Sequence, residues 1–144
     1  MSVDQAAQAS ILARAPTREE YERLCRAVGW RDDVNYAVAG VALDNSLFQI
    51  VAEIDGDIVG MARVVGDGAM FFYVQDVAVA PPHQGKGVGT RMIQAIRDWL
   101  IVNAPPKAQA LVFEADGKRG FYQELGFEPT GKGLQAFVDN WRRE

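Results

Sequence analysis

Residues 75–90 read Gln75-Asp76-Val77-Ala78-Val79-Ala80-Pro81-Pro82-His83-Gln84-Gly85-Lys86-Gly87-Val88-Gly89-Thr90. An apolar run from Met70 to Ala80 stops at two prolines, which lack the N–H that a strand ladder needs. Three glycines follow, and then Val88, Met92, Ile93, Ile96, Trp99 and Leu100 recur at helical spacing. The pattern predicts a buried strand that passes through a glycine-rich turn straight into a long amphipathic helix. The first amides of a helix have no partner within it and lie at the positive end of its dipole. Glycines let the preceding backbone approach a bulky anion and adopt positive φ. Such an arrangement is a seat for phosphate.

Two common nucleotide motifs fail here. The pattern G-x-x-x-x-G-K-[ST] needs glycine where Ala80 stands and a hydroxyl residue where Gly87 stands. The pattern G-x-G-x-x-G meets Thr90 at its last position, with no βαβ unit before it. What fits is Q-x-x-G-x-G, spelled Gln84-Gly85-Lys86-Gly87-Val88-Gly89.

Upstream, Thr17-Arg18-Glu19-Glu20 has the form of a capping box, and the helix it opens ends near Gly29. A second helix is expected from about Asp33 to Leu43. Ile11 to Arg14 could begin a strand, while Ser2 to Gln8 is small, polar and expected to fray. Leu47 to Ile54 and Ile58 to Val65 alternate around Asp55-Gly56, a hairpin signal, and Met70 to Ala80 completes a three-stranded antiparallel meander. Downstream, Pro105-Pro106 precedes a buried strand, Ala108 to Phe113. A short helix from Lys118 to Leu125 and a final strand from Phe127 to Val138 close the chain, and the tail is polar apart from Trp141. The order ααβββαβαβ, with no repeat or linker, predicts one α/β (α+β) domain over residues 1–144.

Composition narrows the function classes. Of 144 residues, 49% are hydrophobic and 24% charged, as in ordinary globular proteins. The net charge of −4 argues against nucleic acid as a partner, since a duplex binder carries a basic stripe. Cys25 and His83 are the only residues of their kinds, so no internal disulfide and no clustered Cys/His metal site is expected. No window approaches a membrane span and no secretory signal is visible, which makes the cytoplasm the expected compartment.

The hexad, the Val79-Ala80-Pro81 strand ending and the downstream segment Gly120-Phe121-Tyr122-Gln123-Glu124-Leu125-Gly126-Phe127 together resemble the GNAT superfamily of acetyl-CoA-dependent N-acetyltransferases. The resemblance covers most of residues 46–138. It implies a mixed, mostly antiparallel sheet splayed at its centre and flanked by helices. It further implies acetyl-CoA as co-substrate, with the diphosphate held along Gln84, Gly85, Lys86, Gly87, Val88 and Gly89 and a hydroxyl contact from Thr90. The pantetheine arm would pair with the strand carrying Val77, Ala78 and Val79, filling the gap beside the parallel strand Ala108 to Phe113. Lys86 reads equally well as a solvated turn lysine.

By the same resemblance Tyr122 is the acid facing the coenzyme sulfur, against the alternative of a core aromatic beside Phe121. An amide near Val77 is the oxyanion donor. Asp76, Glu53 and Glu114 are the carboxylates open to the role of base; a satisfied buried carboxylate is the preferred reading of Asp76, and water the preferred base. His83 reads as a surface residue. The acceptor, a primary amine of a small molecule, would meet Trp30, Tyr36, Tyr73 and Asp76, with Phe72 favoured as core. Trp141 would cover that pocket or support a homodimer. The expected reaction is direct acetyl transfer in a ternary complex. The rivals are an acyl-CoA sensor without turnover and acetylation of a protein or peptide amine.

Overall fold

The computed structural model describes residues 9–30, 32–113, 118–131 and 133–144. The Ser2–Gln8 stretch and Glu114, singled out above, lie outside the described residues. A short strand β1 (Ser10–Leu12) leads to helix α1 (Arg18–Ala27), and its predicted capping box is present. The Glu20 N–H donates to the Thr17 hydroxyl at 3.1 Å, and the Thr17 N–H donates back to the Glu20 carboxylate at 2.8 Å.

The single helix expected from Asp33 to Leu43 is instead a 3₁₀ turn, Tyr36–Val38, followed by a short helix α2, Ala39–Asp44. The Asn35 side chain accepts from the Ala37 N–H at 3.2 Å, so the chain is capped two residues later than the apolar pattern suggests. That pattern misleads because Val38 and Val41 are exposed, while Ala39 and Leu43 face the interior.

Strands β2 (Phe48–Ile54), β3 (Asp57–Gly66) and β4 (Phe71–Val79) form the expected meander. A 3₁₀ turn at Pro81–His83 and the glycine turn lead into α3 (Val88–Asn103), then β5 (Gln109–Phe113) and α4 (Arg119–Glu124). The last predicted strand is a hairpin, β6 (Glu128–Thr130) with β7 (Gly133–Phe137), and the tail forms one more helical turn, α5 (Val138–Arg142). Among the described residues the sheet has seven strands in the order β1-β2-β3-β4-β5-β7-β6. Every neighbouring pair is antiparallel except β4 with β5. This mixed, mostly antiparallel sheet with flanking helices is the fold expected from the sequence. No described helix is long and apolar enough to cross a membrane.

Two features of β4 set up the site. Its parallel ladder with β5 ends at Val74↔Val112, so from Gln75 onward the two strands part. Opposite β3, Gln75 pairs with Arg63 and Ala78 with Met61, which leaves two residues of β4 facing one of β3. This is a β-bulge, and Asp76 within it has φ +56°. The extra residue switches faces along the strand. Phe72 and Val74 belong to the core beneath α3, whereas Ala78 packs into the second core under α1 and α2.

Trp141 is 3% exposed, so it neither covers a pocket nor offers a surface to a second copy. Its ring meets Phe127 at 5.3 Å and its indole N–H donates to the Gly126 carbonyl at 3.2 Å. Gly126 has φ +97°, and a Cβ there would lie 2.5 Å from the indole nitrogen. Gly126→Ala is expected to lower unfolding free energy by about 2–3 kcal/mol through backbone strain and this clash. Urea unfolding followed by tryptophan fluorescence measures it.

Candidate active site

The glycine turn takes the conformation that only glycine adopts cheaply. Gly85 and Gly87 have φ +74° and +86°, and Gly87 is the N-cap of α3. Val88 fills the core with its side chain, at 1% exposure, and so anchors the turn from within. Gln84 holds the turn from outside: its side-chain amide donates to the Val79 carbonyl at 2.9 Å. The amides that open α3 are thereby fixed over the end of β4, where they have no partner within the helix.

A cavity of about 580 Å³ lies along this turn. Val77, Ala78 and Val79 form one wall, and Gln84, Gly85, Gly87, Gly89 and Thr90 another. Thus eight of the ten residues expected at the coenzyme line one space, and the other two, Lys86 and Val88, do not. Val28, His83, Lys118 and Phe121 also line it. His83, read from the sequence as a surface residue, is half-buried on this wall. Phe121 was within sight in the Phe121-Tyr122 pair; Val28 and Lys118 carry no local motif.

A second cavity, of about 320 Å³, opens where β4 and β5 part. Val74, Gln75, Asp76 and Val77 line it from β4, Val112 and Phe113 from β5, and Trp30, Asp33 and Val34 from the segment after α1. Trp30, Val77 and Tyr122 line both cavities and mark where they meet.

Tyr122 comes to this junction on α4. It is 6% exposed and is wedged edge-on between Phe121 and Phe127, with ring centroids at 4.9 and 5.9 Å. Burial pushes its phenol up to about 12, so it remains protonated throughout the neutral range.

Asp76 lines the smaller cavity, yet one of its oxygens, Oδ2, is already engaged. Arg63 Nε donates to it at 2.6 Å and the Tyr21 hydroxyl at 2.8 Å. Burial, with the Asp76 charge second, pushes the Tyr21 phenol far up, which keeps it a donor. The preferred sequence reading of Asp76 as a satisfied, largely buried carboxylate matches this arrangement. Glu53 is likewise engaged, accepting from Arg14 at 2.7 Å.

The remaining sequence candidates divide. Trp30 is at the junction. Tyr36 and Tyr73 line neither cavity: Tyr36 lies under the Arg26 guanidinium at 4.8 Å, and Tyr73 leans on Phe113 at 5.3 Å. Phe72 is core, at 2% exposure. Cys25 is fully buried and its thiol is pushed up to about 11 by burial, which suits packing rather than nucleophilic attack.

The same arrangement of strands and helices recurs in known proteins. Residues 45–129 match the model of the acetyltransferase (GNAT) domain. A relative from Prochlorococcus marinus, named an uncharacterized ycf52-like N-acetyltransferase, is 32% identical over 120 residues, 78% of this chain and 64% of its own length. The chain spans about half the length of other curated relatives it matches. Among solved structures, a probable acetyltransferase of Staphylococcus aureus superimposes with TM-score 0.79 at 25% identity, covering 85% of this chain and 92% of that one. A GNAT family acetyltransferase of Brucella melitensis, solved in complex with acetyl-CoA, shares the fold with TM-score 0.68 at 19% identity, over 90% of this chain and 87% of its own. The domain match spans more than half of the chain and contains the strand, the glycine turn, α3 and Tyr122: the chain belongs to the GNAT acetyltransferase family.

Proposed function

We propose that this chain transfers an acetyl group from acetyl-CoA to a primary amine of a small molecule, directly and without a covalent enzyme intermediate. The observation that carries the reading is the meeting of two cavities at Tyr122 and Val77, one bounded by the glycine turn and the other by Trp30, Asp33 and Phe113. The acetyl-CoA bound by the Brucella relative supports the choice of co-substrate.

The coenzyme diphosphate would rest on the amides from Gly85 to Thr90, where a helix start favours negative charge without any basic side chain. Its amide-bearing arm would pair with the free edge of β4 along Val77, Ala78 and Val79, as an added strand does. The acetyl carbon then lies at the junction, with the amine approaching from the smaller cavity. The Val77 N–H serves the oxyanion of the tetrahedral intermediate.

Tyr122 faces the departing sulfur. A phenol is ordinarily a weaker acid than a thiol, about 10 against about 8.5, and burial raises both, so outright proton transfer from Tyr122 is uphill. Tyr122 therefore works as a hydrogen-bond donor to the growing thiolate, and the proton shed by the amine ultimately neutralises it. Asp76 and Glu53 are held by arginines, so water removes the amine proton. The smaller cavity is lined by Asp33 and several apolar or aromatic side chains, which suits a cationic amine on an aromatic or alkyl body.

Two tests follow from this chemistry. A panel of small amines is expected to accelerate thiol release from acetyl-CoA; tight coenzyme binding with no acceleration by any small amine would contradict the reading. The pH profile of kcat/KM should rise as the amine loses its proton. It should show no loss through Tyr122 below about pH 11, because the phenol is the protonated, donating form up to that point.

A further inference from the structure

Asp76 holds a backbone conformation that an L-residue adopts reluctantly, φ +56°, in the middle of the central strand. Such strain persists only where surrounding contacts over-determine it. Those contacts come from two different elements. Tyr21 donates from α1 and Arg63 from β3, and both reach the same oxygen, Oδ2, at 2.8 and 2.6 Å. Arg63 is braced in turn, its Nη1 donating to the Ser46 hydroxyl at 3.1 Å. The next residue, Val77, is the second residue of the bulge, lies past the end of the β4–β5 ladder, and lines both cavities.

We propose that Asp76 is a positioning residue, whose carboxylate, tied by Tyr21 and Arg63, holds the left-handed turn of the bulge and so aims the Val77 N–H at the acyl oxygen. This rests on the acetyl-transfer reading above and adds to it the side chains that hold the bulge in place. The carboxylate does not touch the substrate; it acts through the backbone. A strand without the bulge would turn the residues after it to the opposite faces, and the amide now at the junction would point elsewhere.

The prediction that separates this role from direct chemistry is an order among variants. Glycine has no carboxylate but accepts positive φ freely, whereas alanine lacks the carboxylate and resists that conformation. Asp76→Gly should lower kcat about 3-fold and Asp76→Ala about 30-fold, the gap reflecting the alanine's left-handed penalty. KM for acetyl-CoA should change less than about 3-fold in both, since the diphosphate seat lies elsewhere. Asp76→Asn, which tolerates positive φ and still accepts from Tyr21, should fall between wild type and Asp76→Gly. Equal loss of kcat in Gly and Ala would mean that the carboxylate itself acts on the substrate, and would overturn the proposal. So would an effect confined to KM. Hydrogen exchange of the Val77 amide in the same proteins gives a readout that needs no turnover, with the alanine variant expected to differ from wild type more than the glycine one. If wild type acetylates no amine, the functional reading fails, while the order of exchange rates still decides for or against the clamp.

Discussion

Tyr122→Phe should lower kcat for acetyl transfer by about 10²–10³-fold while leaving KM for acetyl-CoA within about 3-fold of wild type. The substitution removes one oxygen from a side chain that is 6% exposed and keeps the ring contacts with Phe121 and Phe127. Folding should therefore be little affected, and the change isolates the hydroxyl. The size follows from what the hydroxyl is asked to do. A thiolate leaving between Trp30, Val77 and Tyr122 develops its charge beside largely apolar side chains, and one well-placed donor there commonly contributes two to three orders of magnitude. Steady-state thiol release, with thermal unfolding as control, measures both quantities. A variant with undiminished kcat would make Tyr122 a packing residue, which was the other reading of it from sequence.

Gly87→Val should weaken acetyl-CoA binding by about 10²-fold or more, with a smaller effect on the rate at saturation. Gly87 caps α3 at φ +86°, and a β-branched residue is disfavoured there more strongly than alanine. The backbone must rotate to accommodate it, which carries the first amides of the helix away from where the diphosphate rests. Losing two charge-assisted hydrogen bonds is enough for the stated effect. The core side of the turn should persist, because Val88, Met92 and Ile93 remain buried beneath it. Titration calorimetry with acetyl-CoA, alongside circular dichroism, separates lost affinity from lost structure.

How much of this was legible beforehand depends on whether a residue type marks its own conformation. The path from β4 through Pro81-Pro82 and the glycine turn into α3 is punctuated by residues with restricted or exceptional backbones, and the structure follows it closely. The Thr17 capping box and the Asp55-Gly56 hairpin are legible for the same reason. The bulge at Asp76 is not, because aspartate has no obligation to positive φ, and the Tyr21 and Arg63 side chains that bond its carboxylate there are far apart in sequence. The apolar spacing of Val38 and Val41 suggested a longer helix because hydrophobic periodicity does not say whether a face has anything to pack against. Trp141 looked like an isolated aromatic in a polar tail, although it closes the core against Gly126 and Phe127. Asp33 and Phe113 reach the cavity through tertiary placement that no local pattern marks, whereas Tyr36 and Tyr73 line neither cavity and pack against Arg26 and Phe113.

The central claim is that main-chain amides at the start of α3 hold the coenzyme diphosphate. A crystal structure of the chain with CoA tests it directly. The expected result is a diphosphate within about 3 Å of several N–H groups between Gly85 and Thr90, with the sulfur directed toward Tyr122. A coenzyme bound outside the cavity between β4 and the glycine turn would contradict it.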